Sequence, residues 1–90
     1  MEQQVQRDRA EIKDAIVRAL RKQFPTDTID VSDGYKENIH VMVVSRRFDD
    51  LPEKAKHDLL WEIIDTDTDL SDEEKGLISL LYPISPSEIR

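Results

Sequence analysis

The chain has 90 residues, no cysteine, and 13 Lys and Arg against 20 Asp and Glu, for a net charge of −7. That length fits one small domain, and the missing thiols exclude a disulfide framework, a thiolate zinc site and a redox CxxC pair. Apolar residues make up 38% of the chain, enough for one core, so the 37% that are charged mark a solvated surface rather than a disordered polymer.

Residues 1–9 are polar and are expected to fray, which leaves 10–90 as the domain. From there Ile12, Ile16, Ala19, Leu20 and then Gln23 or Phe24 recur at spacings of three and four, the period of an amphipathic helix. Pro25 limits that helix near Gln23 and pushes Phe24 toward an extended conformation. Thr28-Ile29-Asp30-Val31-Ser32 alternates apolar and polar side chains, the pattern of a half-buried strand, and Asp33-Gly34 signals a turn. Ile39 to Ser45 is the most strand-like run in the chain, and its near-continuous apolarity predicts a central strand.

The period returns to helical from Leu51 to Ile64, with Ala55, Leu59, Leu60, Ile63 and Ile64 on one arc. Asp49 or Asp50 is the expected N-cap, with Pro52 in the first turn. Asp65 to Asp69 reads as a polar connector, and Ser71-Asp72-Glu73-Glu74 as a capping box whose helical turn Gly76 closes. Leu77 to Tyr82 is a third strand, expected to end at Pro83. Ser85-Pro86-Ser87-Glu88 then has the N-cap and N1 proline of a short terminal helix. The order α-β-β-α-α-β-α describes a single small α/β (α+β) domain: a three-stranded mixed sheet packed by helices.

Few patterns in the chain carry chemistry. Asp65, Asp67 and Asp69 imitate the start of a calcium loop, but the positions that need glycine and a bidentate glutamate are Leu70 and Gly76. No GxGxxG, P-loop, GxSxG or HExxH occurs, and two glycines cannot build a phosphate cradle. An enzyme and a small-molecule substrate are therefore not expected. No run of 18 apolar residues exists and Met1-Glu2-Gln3-Gln4 is not apolar, so a cytoplasmic protein without a membrane partner is expected.

The charge is unevenly spread. Residues 1–56 balance 11 bases against 11 acids, whereas 57–90 hold two bases and nine acids. A nucleic-acid partner would have to meet the neutral part, where Arg46, Arg47, Lys54 and Lys56 form the candidate basic edge. Lys54, Lys56, His57 and Trp61 fall along one edge of the second long helix. A tryptophan beside basic groups and an imidazole is a typical interface anchor.

From Val43 the chain reads Val-Val-Ser-Arg-Arg-Phe48, followed after seven intervening residues by Lys56-His57 at the opening of a helix. This spacing, with Leu77-Ile78-Ser79-Leu80 and the Ser-Pro-Ser-Glu-Ile end, resembles the BolA family over roughly residues 10–90. The resemblance implies a class II KH-like fold and a role as a partner of monothiol glutaredoxins in iron–sulfur cluster traffic or iron regulation. It further implies that a [2Fe–2S] cluster is shared with that partner and that His57 is one ligand. Many members place a second ligand, Cys or His, in the loop between the first two strands. Asp33 to Asn38 holds neither, which leaves His40 at its exit as the nearby candidate metal ligand. Two alternatives stay open: a nucleic-acid-binding transcription regulator using Arg46, Arg47, Lys54 and Lys56, and a plain protein adaptor.

Overall fold

The computed structural model describes residues 8–88. Helix α1 (Arg9–Gln23) leads into strand β1 (Thr28–Asp33) and strand β2 (Ile39–Val44). A 3₁₀ turn at Arg46–Phe48 precedes α2 (Glu53–Asp67), the short α3 (Asp72–Lys75) and strand β3 (Ile78–Ile84), and a second 3₁₀ turn covers Pro86–Glu88. The sheet order is β1-β2-β3, with β1 antiparallel and β3 parallel to β2. The expected small α+β domain with a mixed three-stranded sheet is what forms. The polar segment expected to fray lies, up to Arg7, outside the described residues.

Apolar spacing drives α1 as expected: Ile12, Ile16, Ala19 and Leu20 are all buried, and Phe24, out of helical geometry before Pro25, completes the stripe. Asp8 closes the N-terminus, its carboxylate accepting from the Glu11 N–H at 2.9 Å while the Glu11 carboxylate accepts from the Asp8 N–H. Strand β2 alternates strictly, with Ile39, Val41 and Val43 buried and His40, Met42 and Val44 half-buried. Both long helices pack on the Ile39–Val41–Val43 face, where Leu20, Leu60 and Ile64 join the core. Rings of Phe24 and Phe48 meet at 5.6 Å between centroids, tilted by 47°.

Four local expectations are corrected. Neither Asp49 nor Asp50 caps α2: the N-cap is Pro52, without a side-chain hydrogen bond, and Asp49 instead accepts from the Ser85 hydroxyl. The polar connector after Ile64 is in part helix, which runs on to Asp67, where the Thr66 and Thr68 hydroxyls donate to the carbonyls of Glu62 and Ile64. Strand β3 does not stop at Pro83 but passes through it to Ile84. Being an edge strand, it can point the proline nitrogen outward and lose no ladder bond. The terminal helix is, through Glu88, only a 3₁₀ turn, and the buried Ser85 before it donates its hydroxyl to Asp49 and lies 3.1 Å from the Ser87 hydroxyl.

Register also departs from simple alternation. Ile39 pairs with Ile78 but His40 pairs with Leu80, so Ser79 is an extra residue in β3. The bulge resets the faces: Ile78 and Leu81, three apart, both point into the core, while Leu80 and Tyr82 join His40 and Met42 on the opposite face. The capping box at Ser71 forms as expected, with the Ser71 hydroxyl accepting from Glu74 N–H and the Glu74 carboxylate from Ser71 N–H.

Candidate functional site

A cleft of about 510 Å³ runs between α2 and the free edge of β3. One wall is the stripe Glu53, His57 and Trp61, four residues apart on consecutive helical turns. The other is β3 itself, with Leu81 and Pro83 among its lining residues. The structure therefore brings together two of the residues singled out in sequence, His57 and Trp61, and adds a wall that helical periodicity could not reveal.

His57 is half-buried and held by its own helix. Its Nδ1 lies 3.0 Å from the carbonyl oxygen of Glu53. A carbonyl only accepts, so Nδ1 carries the proton, and the neutral ring keeps its lone pair on Nε2. Among the described residues Nε2 has no hydrogen-bond partner. Trp61, also half-buried, packs against the margin of the core.

The β3 wall is a modified edge. Ile84 accepts from the Ser45 N–H at 3.0 Å, so by alternation the backbone groups of Pro83 and Leu81 face away from β2. Pro83 has no N–H to offer, and Ser79 bulges two residues before Leu81. The free edge thus presents the Leu81 amide and carbonyl together with the Pro83 carbonyl.

The lysine cluster expected on this helix edge does not form. Lys56 is buried, 4% exposed, on the core stripe with Leu60, Ile63 and Ile64, and its Nζ is 3.1 Å from a Glu53 carboxylate oxygen. The buried arc of α2 is rotated toward Lys56, leaving Ala55 and Leu59 half-buried; a lysine stem is apolar enough to lie there with its charge paired. Lys54 is exposed but pairs with Asp58 at 2.9 Å. On the 3₁₀ turn after β2, Arg47 lies 4.7 Å over the Phe24 ring and donates to the Gln23 carbonyl. Arg46 alone of the four basic residues is exposed with no side-chain partner among the described residues.

His40 and His57 are not brought together. His40 projects from the sheet face opposite the one on which α2 packs, so the sheet stands between the two rings. The His40 ring lies instead over Gly34: a Cβ built there would come within 2.4 Å of His40 Nε2. Among the described residues no group of three or more His, Cys, Asp or Glu is arranged to hold a metal ion, and no helix is long and apolar enough to cross a membrane.

Sequence reasoning missed the clamp on the β1–β2 loop. Arg9 and Lys13, one turn apart on α1, converge on Asp33 Oδ1 at 2.7 and 2.9 Å, and Arg9 also donates to the carbonyls of Glu37 and Asn38. The Lys13 ammonium, then the Arg9 guanidinium, hold the Asp33 carboxyl down at about 2. No local signal links residues 20 or more positions apart, although the i, i+4 basic pair on α1 was visible. In comparison with known proteins, the chain matches no protein-family model and no curated protein.

Proposed function

We propose that this protein is a BolA-like interaction module whose α2–β3 cleft docks a monothiol glutaredoxin, in the service of iron–sulfur cluster traffic or iron regulation. The observation that carries the reading is the His57 ring: Nδ1 is engaged by the Glu53 carbonyl and Nε2 is left unpartnered beside the cleft. Metal-binding histidines need this arrangement, one nitrogen donating to a fixed acceptor and the other deprotonated. The α-β-β-α-α-β order and mixed sheet agree with the class II KH-like arrangement that the resemblance implies.

The donor set limits what this chain contributes. His40 lies across the sheet and the Asp33–Asn38 loop has no Cys or His, so His57 is the single ligand offered and a partner's thiols supply the rest. An imidazole on a [2Fe–2S] iron raises the cluster's potential and makes it respond to pH. The chain's own part is to orient His57 through Glu53 and to provide the Trp61 contact. It is assigned no catalytic step, and the reading places it in the cytoplasm, where partner thiols stay reduced. The basic residues weigh toward a protein partner, since Arg47, Lys54 and Lys56 are engaged within the chain.

The test is to mix the protein with a cluster-loaded monothiol glutaredoxin and record visible absorption, circular dichroism and elution on a sizing column. A shifted spectrum with comigration is expected, and His57→Ala should change the spectrum while His40→Ala leaves it alone. Unchanged spectra together with separate elution sink the reading.

A further inference from the structure

The two edges of the sheet are finished differently. Strand β1 carries Asp30 and Asp33, charges of the kind that keep another strand away. Strand β3 carries no charge at all. Its Leu80 and Tyr82 are two of the four large apolar side chains exposed among the described residues, at 37% and 48%. An uncharged edge that shows apolar side chains is a template for strand pairing.

The groups left on this edge fit a second copy of the same strand. Leu81 offers both its N–H and its carbonyl. In an antiparallel ladder a residue set opposite its own copy exchanges both bonds, N–H to carbonyl in each direction. A two-fold axis through that pair makes the contact isologous, one surface matched by itself. Pro83 and the bulge select this register. With the axis one residue on, Leu81 would face Pro83, which has no N–H, and the Leu81 carbonyls would stay unpaired. With the axis one residue back, Leu81 would face Ser79, where the strand is irregular.

The same register matches side chains. Leu80 of one copy falls opposite Tyr82 of the other, twice, at the non-hydrogen-bonded positions where side chains come closest. Both lie on the open face with His40 and Met42, so the two exposed apolar groups cover each other. The contact is one seven-residue strand from each chain. That is the low end of specific interfaces, below about 1,200 Å², so the dimer is weak and depends on concentration.

We infer that the protein pairs with a second copy of itself through β3, antiparallel and centred on Leu81, which joins two three-stranded sheets into one. The inference does not rest on the docking reading. Because β3 is also a wall of the α2–β3 cleft, self-pairing and partner docking are alternatives. Each copy carries a net charge of −7, so salt should tighten the dimer by screening the repulsion between copies.

Sedimentation equilibrium of the full chain, from micromolar to millimolar concentration, should show a monomer–dimer equilibrium that shifts toward dimer as salt rises. Tyr82→Lys, on an exposed side chain, should leave the circular dichroism unchanged and weaken the dimer on the order of tenfold. Cross-linking reads the register, since the chain has no cysteine of its own. Leu80→Cys and Tyr82→Cys chains, mixed and oxidised, should give the mixed disulfide in excess of random pairing. A monomer throughout, a dimer that salt weakens or Tyr82→Lys leaves intact, or a mixed disulfide at its random share each overturns the inference. No glutaredoxin is present, so failure here leaves the docking reading standing.

Discussion

The Nδ1 of His57 donates to the carbonyl oxygen of Glu53 across one turn of α2, at 3.0 Å. That bond fixes both the tautomer and the ring plane, because rotating the imidazole would forfeit the bond. In the neutral ring, long-range ¹⁵N–¹H correlation spectra should show the proton on Nδ1 and a bare Nε2. The His57→Ala variant should keep the fold within about 0.5 kcal/mol, as expected of a residue outside the core, while losing the cluster-dependent spectral change. A population dominated by the Nε2–H tautomer would remove the main support for a ligand role.

Gly34 and His40 form a second such pair. Any side chain at Gly34 would overlap the His40 ring, whose Nε2 lies 2.4 Å from the position of a Cβ. Gly34→Ala should therefore cost about 1–3 kcal/mol by overpacking. Adding His40→Ala should recover most of that loss, as a double-mutant cycle in urea would show. Additive costs would mean that the glycine is needed for some reason other than room for the imidazole.

Asp33 makes stability depend on acid. Its folded carboxyl is held at about 2 by Lys13 and Arg9, below the ordinary value of about 3.9. A depressed acid contributes stability that is fully present above the ordinary value and is lost as pH falls toward the folded one. Thermal unfolding should thus show Tm falling between about pH 4.5 and pH 2. Asp33→Asn should lower Tm at neutral pH and flatten that part of the curve. An unchanged slope in the variant would assign the acid loss to other carboxylates.

The aromatic contact under the turn after β2 is the packing prediction. Phe48 is 1% exposed and faces Phe24, so Phe48→Ala should cost about 3–5 kcal/mol. Leu60, fully buried on α2, should cost about 2–5 kcal/mol as alanine. Chemical denaturation with constant m-values would check both. By contrast Leu51→Ala, on an exposed residue, should fall within about 0.5 kcal/mol.

Much of this molecule was legible in the amino-acid order because its signals are local. The Ile12–Ile16–Leu20 stripe follows the helical period, Ile39–Val44 the strand period, and the Ser71 to Glu74 box joins groups three residues apart. The neighbourhood of His57 and Trp61 could be read for the same reason, four residues being one turn.

The rest was decided where distant segments meet. Pro83 stays in a strand only because β3 is an edge, and the Ser79 bulge sends Leu81 rather than Leu80 into the core. Lys56 is drawn inside because the packing of α2 rotates its buried arc, a choice that composition argues against but a long apolar stem and the Glu53 carboxylate permit. Local periodicity likewise could not tell that His40 and His57 would lie on opposite sides of the sheet. The net charge of −7 was readable from the start. Only the fold decides where those charges lie: Asp67 and Asp69 line a hollow against α1 with Arg18 and Lys22, while Glu53 is the acid that lines the α2–β3 cleft, and the field at a surface depends on such placement, not on the sum.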